Sequence, residues 1–201
     1  MVTFKEIFSK KYFVLYVKFF VWFFLSFAFY SSVMSRDYFT LFIVILTFLF
    51  TFISSFFKKF KIYLTPELEL VILLFVYSTL FLGEVENYYV VYWWWDVLMH
   101  IGSAIALGFI GLGILSEMDR KGKVEAKPSV LVFFAFCFVL AIGALWEIFE
   151  FSMDYFFSLN MQKSGLWDTM GDLIADVLGG LISAVIGYFY LVKEKKKLKR
   201  T

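Results

Sequence analysis

Proline and cysteine are scarce in this sequence, which has two prolines and one cysteine in 201 residues. Because proline interrupts helices, its scarcity permits long unbroken apolar segments. A single cysteine, Cys137, excludes an intrachain disulfide framework. Charged residues make up only 18% of the chain, and this low content excludes an ordinary soluble domain.

Hydrophobic residues account for 62% of the chain and aromatic residues for 23%. Apolar segments of about 20 residues are long enough to cross a bilayer as helices. We therefore predict an all-α fold, a polytopic membrane protein built as a bundle of about six transmembrane helices. The third segment is short, and its pattern allows an extension toward Tyr89. The predicted spans are 12–34, 38–57, 68–83, 97–115, 129–152 and 169–192.

The distribution of polar residues predicts one integral membrane domain over residues 1–201 with two different halves. Residues 1–95 contain three hydrophobic helices, residues 96–192 contain three helices with the polar site, and residues 193–201 form a basic tail. The first apolar segment is too long and too aromatic for a cleaved signal peptide, so we expect it to stay as an anchor.

Basic residues indicate the orientation of the chain. Of the 19 basic residues, 16 precede span one, follow span two, follow span four or close the chain, and these positions share one side of the predicted bundle. Positively charged loops favour the cytoplasmic side, so both termini are predicted to be cytoplasmic, in the inner membrane. Lys18 lies within span one and is expected to snorkel. Trp93, Trp94 and Trp95 are predicted to form an aromatic belt at the outer surface.

Acidic residues and the single histidine repeat at helical spacing in the last three spans. An ionised side chain in hydrocarbon costs about 2.5–3.5 kcal/mol on insertion scales, so such repeats need partners or a polar cavity. The predicted topology places all of them in the outer half of the bundle. The stripes are Asp96 and His100 on span four, Glu147, Glu150 and Asp154 on span five, and Asp168, Asp172 and Asp176 on span six.

Small residues on span six favour close packing of these helices. They recur every fourth position, and such ridges let transmembrane backbones approach one another. The prediction is that carboxylates from spans four, five and six meet at one site. The ridge consists of Gly171, Ala175, Gly179, Ser183 and Gly187.

Carboxylates brought this close raise one another's pKa and cannot all stay ionised without a cation. Three resolutions stay open: a bound divalent metal, shared protons, or a water-filled cavity. An oxygen-rich site with one imidazole suits Mg²⁺, Mn²⁺, Ca²⁺ or Zn²⁺. The predicted metal ligands are His100, Glu147, Asp172 and Asp176, the general base is Glu150 or Asp96, and Asp154 and Asp168 form the rim.

Three blocks of sequence resemble the VanZ-like and YjdF-like membrane proteins. They are Asp96-Val-Leu-Met-His100, Trp146-Glu147-Ile-Phe-Glu150, and the segment from Asp168 through Asp172 and Asp176 to Gly180. The resemblance covers about the second half of the chain, and Val97 stands where the family pattern usually has lysine. It implies an inner-membrane protein whose polar site lies on these three helices. VanZ itself is associated with glycopeptide resistance, and most members have no assigned activity.

Our leading hypothesis from the sequence is a metal-dependent membrane protein that binds or acts on a lipid or a lipid-linked envelope substrate at the outer leaflet. The first alternative is an ion- or proton-coupled transporter that uses the same carboxylates. The second is a non-catalytic accessory protein that packs against an envelope enzyme. Membrane lipid is the expected partner and nucleic acid is not, and the pattern predicts no particular oligomeric state.

Overall fold

The computed structural model describes residues 10–59 and 65–198, and these residues form helices and no strand. Five helices are long and apolar enough to cross a membrane, and a sixth is shorter, so the predicted all-α polytopic fold is confirmed. Lys5, Lys61, Lys199 and Arg200, which contributed to the predicted orientation, lie outside the described residues. The helices are α1 (Lys10–Ser35), α2 (Tyr38–Phe50), α3 (Ile53–Lys59), α4 (Pro66–Val76), a π-helix (Tyr77–Val85), α5 (Tyr88–Val91), α6 (Trp94–Arg120), α7 (Pro128–Phe157) and α8 (Leu166–Leu198).

The chain divides into two compact units, Met1–Trp95 and Asp96–Thr201. Their boundary coincides with the position at which the sequence changes from apolar helices to helices that carry acidic residues. The prediction of a single integral membrane domain stays a prediction, and each unit is described by itself.

The second predicted span, over residues 38–57, is not one continuous helix. Helix α2 ends at Phe50 after 13 residues, or about 20 Å, which is shorter than the bilayer core of about 30 Å. The Thr51 hydroxyl donates to the Phe48 carbonyl at 2.7 Å and accepts from Trp22 Nε1 at 2.9 Å. A threonine hydroxyl that binds a helix carbonyl offers the backbone an alternative to the regular helix, and here it accompanies the interruption.

The third span combines α4 with the π-helix and ends at Val85. Asn87 adopts a left-handed conformation with φ 56°, which ends the helix, so the extension toward Tyr89 does not occur. A Cβ atom at Gly83 would lie 2.1 Å from the Tyr89 ring, so any larger residue would displace that ring. The side chain of Tyr89 therefore packs directly on the backbone of the π-helix.

Helix α2 begins with a side-chain cap. The Asp37 carboxylate accepts hydrogen bonds from the Thr40 backbone N–H at 3.0 Å and from the Thr40 hydroxyl at 2.7 Å. The hydroxyl bond, and after it the backbone bond, hold the pKa of Asp37 below its usual value. Such a cap satisfies a backbone donor that the first helical turn leaves unpaired.

One expectation for the first unit is wrong and another stays a prediction. The ammonium of Lys18 pairs with the Glu69 carboxylate on the first turn of α4, and the two side chains are 13% and 19% exposed; snorkelling of Lys18 stays a prediction. Trp95 does not belong to an exposed belt, because it is only 9% exposed and packs edge-on against Tyr88 with ring centroids 4.9 Å apart. Trp93, at 85% exposure, keeps the predicted character. The correction for Trp95 comes from Tyr88, which lies on another helix.

Three members of the predicted small-residue ridge of α8, Gly179, Ser183 and Gly187, pack against α6, whereas a Cβ atom at Gly171 would meet nothing within 4 Å among the described residues. A Cβ atom added at Gly179 would lie 2.6 Å from both the Ala104 Cβ atom and the Ile101 carbonyl oxygen, so this position has no room for a side chain. A Cβ atom at Gly187 would lie 2.2 Å from Leu112 Cδ2, which would have to move. Ser183, on the same ridge, lies against Gly108 of α6. Glycine and serine at these positions bring α6 and α8 close together and thereby bring together the residues they carry.

At the other end of the second unit, a basic side chain holds the turn over residues 117–127. Lys195 Nζ donates to Asp119 Oδ2 at 2.9 Å and to the Ala126 carbonyl at 2.8 Å. The Asp119 carboxylate also accepts from the Ala126 backbone N–H at 3.1 Å. The turn is therefore attached to α8, and Lys195 has a structural role besides its charge.

Candidate metal centre

The acidic residues that were predicted to form the site lie where α6 begins, α7 ends and α8 begins. Residues 158–165 connect α7 to α8 at this end, which we call the loop end. His100 lies on the second turn of α6 and is 8% exposed. Asp172 and Asp176 lie one turn apart on α8, and each is 3% exposed. The loop end is therefore the place where charged side chains are buried within one helical unit.

His100 is surrounded by three carboxylates. Its Nδ1 atom lies 3.3 Å from Asp176 Oδ1, within hydrogen-bonding distance. Its Nε2 atom lies 3.8 Å from Asp96 Oδ1 and 3.9 Å from Asp172 Oδ1. These two separations are too long for hydrogen bonds. The two nitrogens of the ring therefore face different environments.

One oxygen of Asp96, one nitrogen of His100 and one oxygen of Asp172 form a compact donor group. Each of these three atoms lies within 4.8 Å of the other two. One imidazole and two carboxylates are donors that divalent cations use in proteins. The side chain of Asp96 is 25% exposed, whereas those of His100 and Asp172 are 10% and 5% exposed, so the group is most open on the Asp96 side.

Four buried carboxylate oxygens around this group have no hydrogen-bond partner among the described residues. They are both oxygens of Glu147 and the Oδ2 atoms of Asp172 and Asp176. Leaving a buried polar group unsatisfied costs about 1–3 kcal/mol, and more when the group is charged. Bound protons, water or a cation would each relieve this cost, and the nearby donor group makes a cation a chemically suitable solution.

Gly143 of α7 makes room for Asp176. A Cβ atom at Gly143 would lie 2.1 Å from Asp176 Oδ2 and 2.9 Å from its Cγ atom. The carboxyl group therefore rests against the α7 backbone one turn before Glu147. Gly143 could not be predicted as a site residue from the sequence, because a glycine inside an apolar helix has no functional group. Its spacing of four residues from Glu147 is the one sequence feature that places it on the same face.

Glu150 lies apart from the donor group and is held by its own helix. Its Oε1 atom accepts a hydrogen bond from Trp146 Nε1 at 2.9 Å, and the residue is half-buried. Trp146 is 48% exposed, so this pair lies toward the surface of the unit. The structure thus gives Glu150 a fixed orientation while leaving its second oxygen out of that bond.

The two predicted rim residues hold the connection between α7 and α8. The Asp154 carboxylate accepts from the backbone N–H groups of Met161 at 2.7 Å and Gln162 at 2.8 Å. The Asp168 carboxylate accepts from the Lys163 N–H at 3.0 Å. Both acids therefore attach the loop to the ends of the helices.

A side chain of the same loop contacts the start of α8. Gln162 Nε2 donates to the hydroxyl of Thr169, on the first turn of α8, at 2.6 Å. The loop and the start of α8 are thereby connected through side chains, and neither Gln162 nor Thr169 was predicted from the sequence.

The structure brings together Asp96, His100, Asp172 and Asp176, and the roles of the predicted site residues as ligands or bases stay predictions. Asp96, predicted as a general base, shares the donor group with His100 and Asp172. Asp176, predicted as a ligand, meets the other nitrogen of His100, and Glu147 lies outside the group. Helical spacing predicted which residues share a face, whereas the ring orientation of His100 determines which carboxylate meets which nitrogen.

A family model described as "Predicted membrane protein (DUF2238)" matches residues 16–193, which is most of the chain. The chain belongs to this family. An uncharacterized protein of Thermotoga maritima is 34% identical over 107 residues. This alignment covers 53% of the chain and 54% of the relative, so the chain matches about half the length of that protein. No solved structure matches the chain.

In this DUF2238 protein, replacing Asp154 by alanine is expected to loosen the loop after α7. The change removes the acceptor of two backbone N–H groups, at a cost of about 1–3 kcal/mol. Amide hydrogen exchange should speed up at Met161 and Gln162 and stay unchanged near Lys195. Asp154→Asn, which retains one oxygen, should have a smaller effect. Unchanged exchange at both amides would contradict this role of Asp154.

Proposed function

We propose that this protein holds a divalent cation at the loop end of its second unit and uses it to bind or transform a lipid or lipid-linked substrate. The observation that carries the proposal is the donor group of Asp96, His100 and Asp172 beside four buried carboxylate oxygens that have no hydrogen-bond partner in the described part of the chain. A helical unit would be less stable with so many unsatisfied acids, so the cluster favours a ligand that needs them.

The donor set fits a cation in number and chemistry. Three protein donors leave further coordination positions for water or substrate, as in sites where bound metals take part in chemistry. A bound divalent ion would supply Lewis acidity, which polarises a carbonyl or phosphoryl oxygen. Asp96 is the most exposed of the three donors, which supports approach of a substrate from its side.

Glu147 and Glu150 are the carboxylates left to act as bases near the donor group. Glu147 is buried and has no hydrogen bond to either oxygen among the described residues, so it is suited to accept a proton from a group that enters the site. Glu150 is oriented by Trp146 and lies nearer the surface. We assign the base to Glu147 and a role in orienting substrate to Glu150.

A lipid or lipid-linked substrate is supported by the setting of the site. The donor group lies within helices long and apolar enough to cross a membrane, and large aromatic side chains at the loop end are exposed, among them Trp167 at 85%. The distribution of basic residues supports a cytoplasmic-membrane location with both termini inside, which puts the loop end at the outer leaflet. The resemblance to VanZ-like and YjdF-like proteins agrees with an envelope role.

The proposal is tested by mass spectrometry of lipids. Purified protein in vesicles made from a bacterial polar lipid extract, supplemented with an undecaprenyl phosphate, is incubated with EDTA or with Mn²⁺ or Zn²⁺. We expect a cation-dependent loss of one lipid class, or its cation-dependent co-purification with the protein. Glu147→Gln should retain cation binding and lose turnover.

The matched control is Glu194→Gln, which neutralises an exposed acid on the same helix as Asp172 but at its other end. This variant should behave as wild type. Equal lipid binding and turnover with and without cation would contradict the proposal. Cation uptake into sealed vesicles without any lipid change would instead favour the transporter.

A further inference from the structure

The two nitrogens of His100 differ in a way that assigns separate roles to its carboxylate neighbours. Nδ1 lies 3.3 Å from Asp176 Oδ1, a distance that fits a hydrogen bond. Nε2 has carboxylate oxygens at 3.8 and 3.9 Å, beyond hydrogen-bonding range. A cation bound between Nε2 and these oxygens would have bonds of about 2.0–2.2 Å to nitrogen and to oxygen. The observed separations are long enough to leave room for such an ion.

Histidines that bind metals usually donate their second ring N–H to a carboxylate, which fixes the tautomer and the ring orientation. We propose that Asp176 is such a positioning residue: it accepts the Nδ1 proton of His100, so that Nε2 joins Asp96 and Asp172 around a first-row transition ion. This inference rests on the proposed cation site. It deepens that proposal by dividing ligands from support and by naming the class of ion.

The surroundings of Asp176 support a positioning role. The residue is 3% exposed, and its carboxyl group rests against Gly143, where a Cβ atom would come within 2.1 Å of Oδ2. One face is thus in contact with the α7 backbone while Oδ1 points at His100. A carboxylate restrained on one side by backbone and on the other by the imidazole is suited to fix a ring.

The mixed donor set supports the class of ion. Imidazole is a good ligand for Zn²⁺ and Fe²⁺, and carboxylates are good ligands for Mn²⁺. Mg²⁺ and Ca²⁺ prefer sites built from oxygen alone, and Mg²⁺ gives up water reluctantly. One nitrogen with two oxygens therefore favours Mn²⁺, Fe²⁺ or Zn²⁺ over Mg²⁺ and Ca²⁺.

A single histidine in the chain makes this division directly measurable. Full-length protein labelled with ¹⁵N-histidine in detergent micelles is titrated with ¹¹³Cd²⁺, an NMR-active substitute for Zn²⁺. We expect coupling between ¹¹³Cd and Nε2, with Nδ1 still protonated. Coupling to Nδ1, or a proton on Nε2 in the bound form, would overturn the division of roles while leaving the cation site intact. Absence of any Cd²⁺ binding would instead overturn the proposed function itself.

Variants of Asp176 show whether it positions His100 or binds the cation itself. Asp176→Asn keeps an oxygen that can accept the Nδ1 proton, so Cd²⁺ affinity should fall about tenfold, and Asp176→Ala should lower it by up to about 100-fold. In both variants Nε2 should remain the coupled nitrogen. If Asp176→Asn loses binding as completely as Asp172→Asn, Asp176 is a ligand and the inference is wrong. Size-exclusion chromatography and circular dichroism establish that each variant is folded.

Competition between ions tests the class. Mn²⁺ and Zn²⁺ should displace Cd²⁺ at concentrations at least 100-fold lower than Mg²⁺ or Ca²⁺. Equal displacement by Mg²⁺ would overturn the assignment to transition ions. Because this readout is binding alone, it does not depend on knowing the substrate.

Discussion

Asp172→Asn is expected to abolish cation binding and the thermal stabilisation that binding provides. A ligand present at 100 times its dissociation constant stabilises the native state by about 2.7 kcal/mol. For a chain of about 200 residues, this corresponds to a rise in Tm of about 5–10 °C. Wild type should show this rise when Mn²⁺ or Zn²⁺ replaces EDTA, and Asp172→Asn should not.

The same variant should be at least as stable as wild type in EDTA. Without a cation, Asp172 lies among other carboxylates, so replacing it by a neutral amide removes repulsion between like charges. Differential scanning fluorimetry in both buffers distinguishes this pattern from simple misfolding, which would lower Tm in each. Glu194→Gln should retain the full shift. A cation-dependent shift that survives in Asp172→Asn would remove Asp172 from the ligand set.

Gly143→Ala is expected to damage the site although it changes no charge. The added Cβ atom would lie 2.1 Å from Asp176 Oδ2, so the carboxylate has to move, and His100 loses its partner at Nδ1. We expect cation affinity to fall at least tenfold, as for other supporting residues of metal sites. Overpacking of this kind also costs about 1–3 kcal/mol in stability. Isothermal titration calorimetry and thermal unfolding measure the two effects.

Gly113→Ala is the matched control for this change. Gly113 also lies in a transmembrane helix, but a Cβ atom there would have nothing among the described residues within 4 Å. Alanine at Gly113 should therefore leave cation affinity unchanged and should not lower stability, since alanine is the better helix former. If the two variants behave alike, the contact between Gly143 and Asp176 does not support the site.

Helix α8 both packs closely against α6 and contributes two carboxylates to the proposed site. One side of α8 presents small residues such as Gly179 to α6, and another presents Asp172 and Asp176 to the site. Close approach of α6 and α8 brings His100 to Asp176 across 76 positions in the chain. A substitution that widens this helix pair would therefore be felt at the site even without contacting it.

Local pattern predicted the fold class, which the structure confirms, and the residues that we propose for the site. A long apolar segment in a membrane must satisfy its own backbone hydrogen bonds, and with few prolines it does so as an α-helix. The transmembrane helices could therefore be predicted from composition. Helical spacing placed Asp96 with His100 and Asp172 with Asp176, because residues four apart share a helix face. The small residues of α8 likewise predicted its close packing on α6.

Features that depend on contacts distant in sequence could not be predicted this way. The Trp22–Thr51 hydrogen bond at the interruption after α2 joins residues 29 positions apart, and the partner of Lys18 lies 51 positions away. Gly143 acquires its importance only because Asp176 of another helix rests on it. Because glycine has no functional group, the role of Gly143 is seen only from the Asp176 carboxylate that packs where a Cβ atom would be.

The sequence by itself determined that this protein is a helical membrane protein with buried acids and one histidine on its last three helices. Tertiary structure decided which acid meets which nitrogen of His100. That decision depends on the rotation of three helices about their axes and on the orientation of one imidazole ring, and neither is encoded in residue spacing. Asp96 and Asp172 face Nε2 and Asp176 faces Nδ1 for this reason.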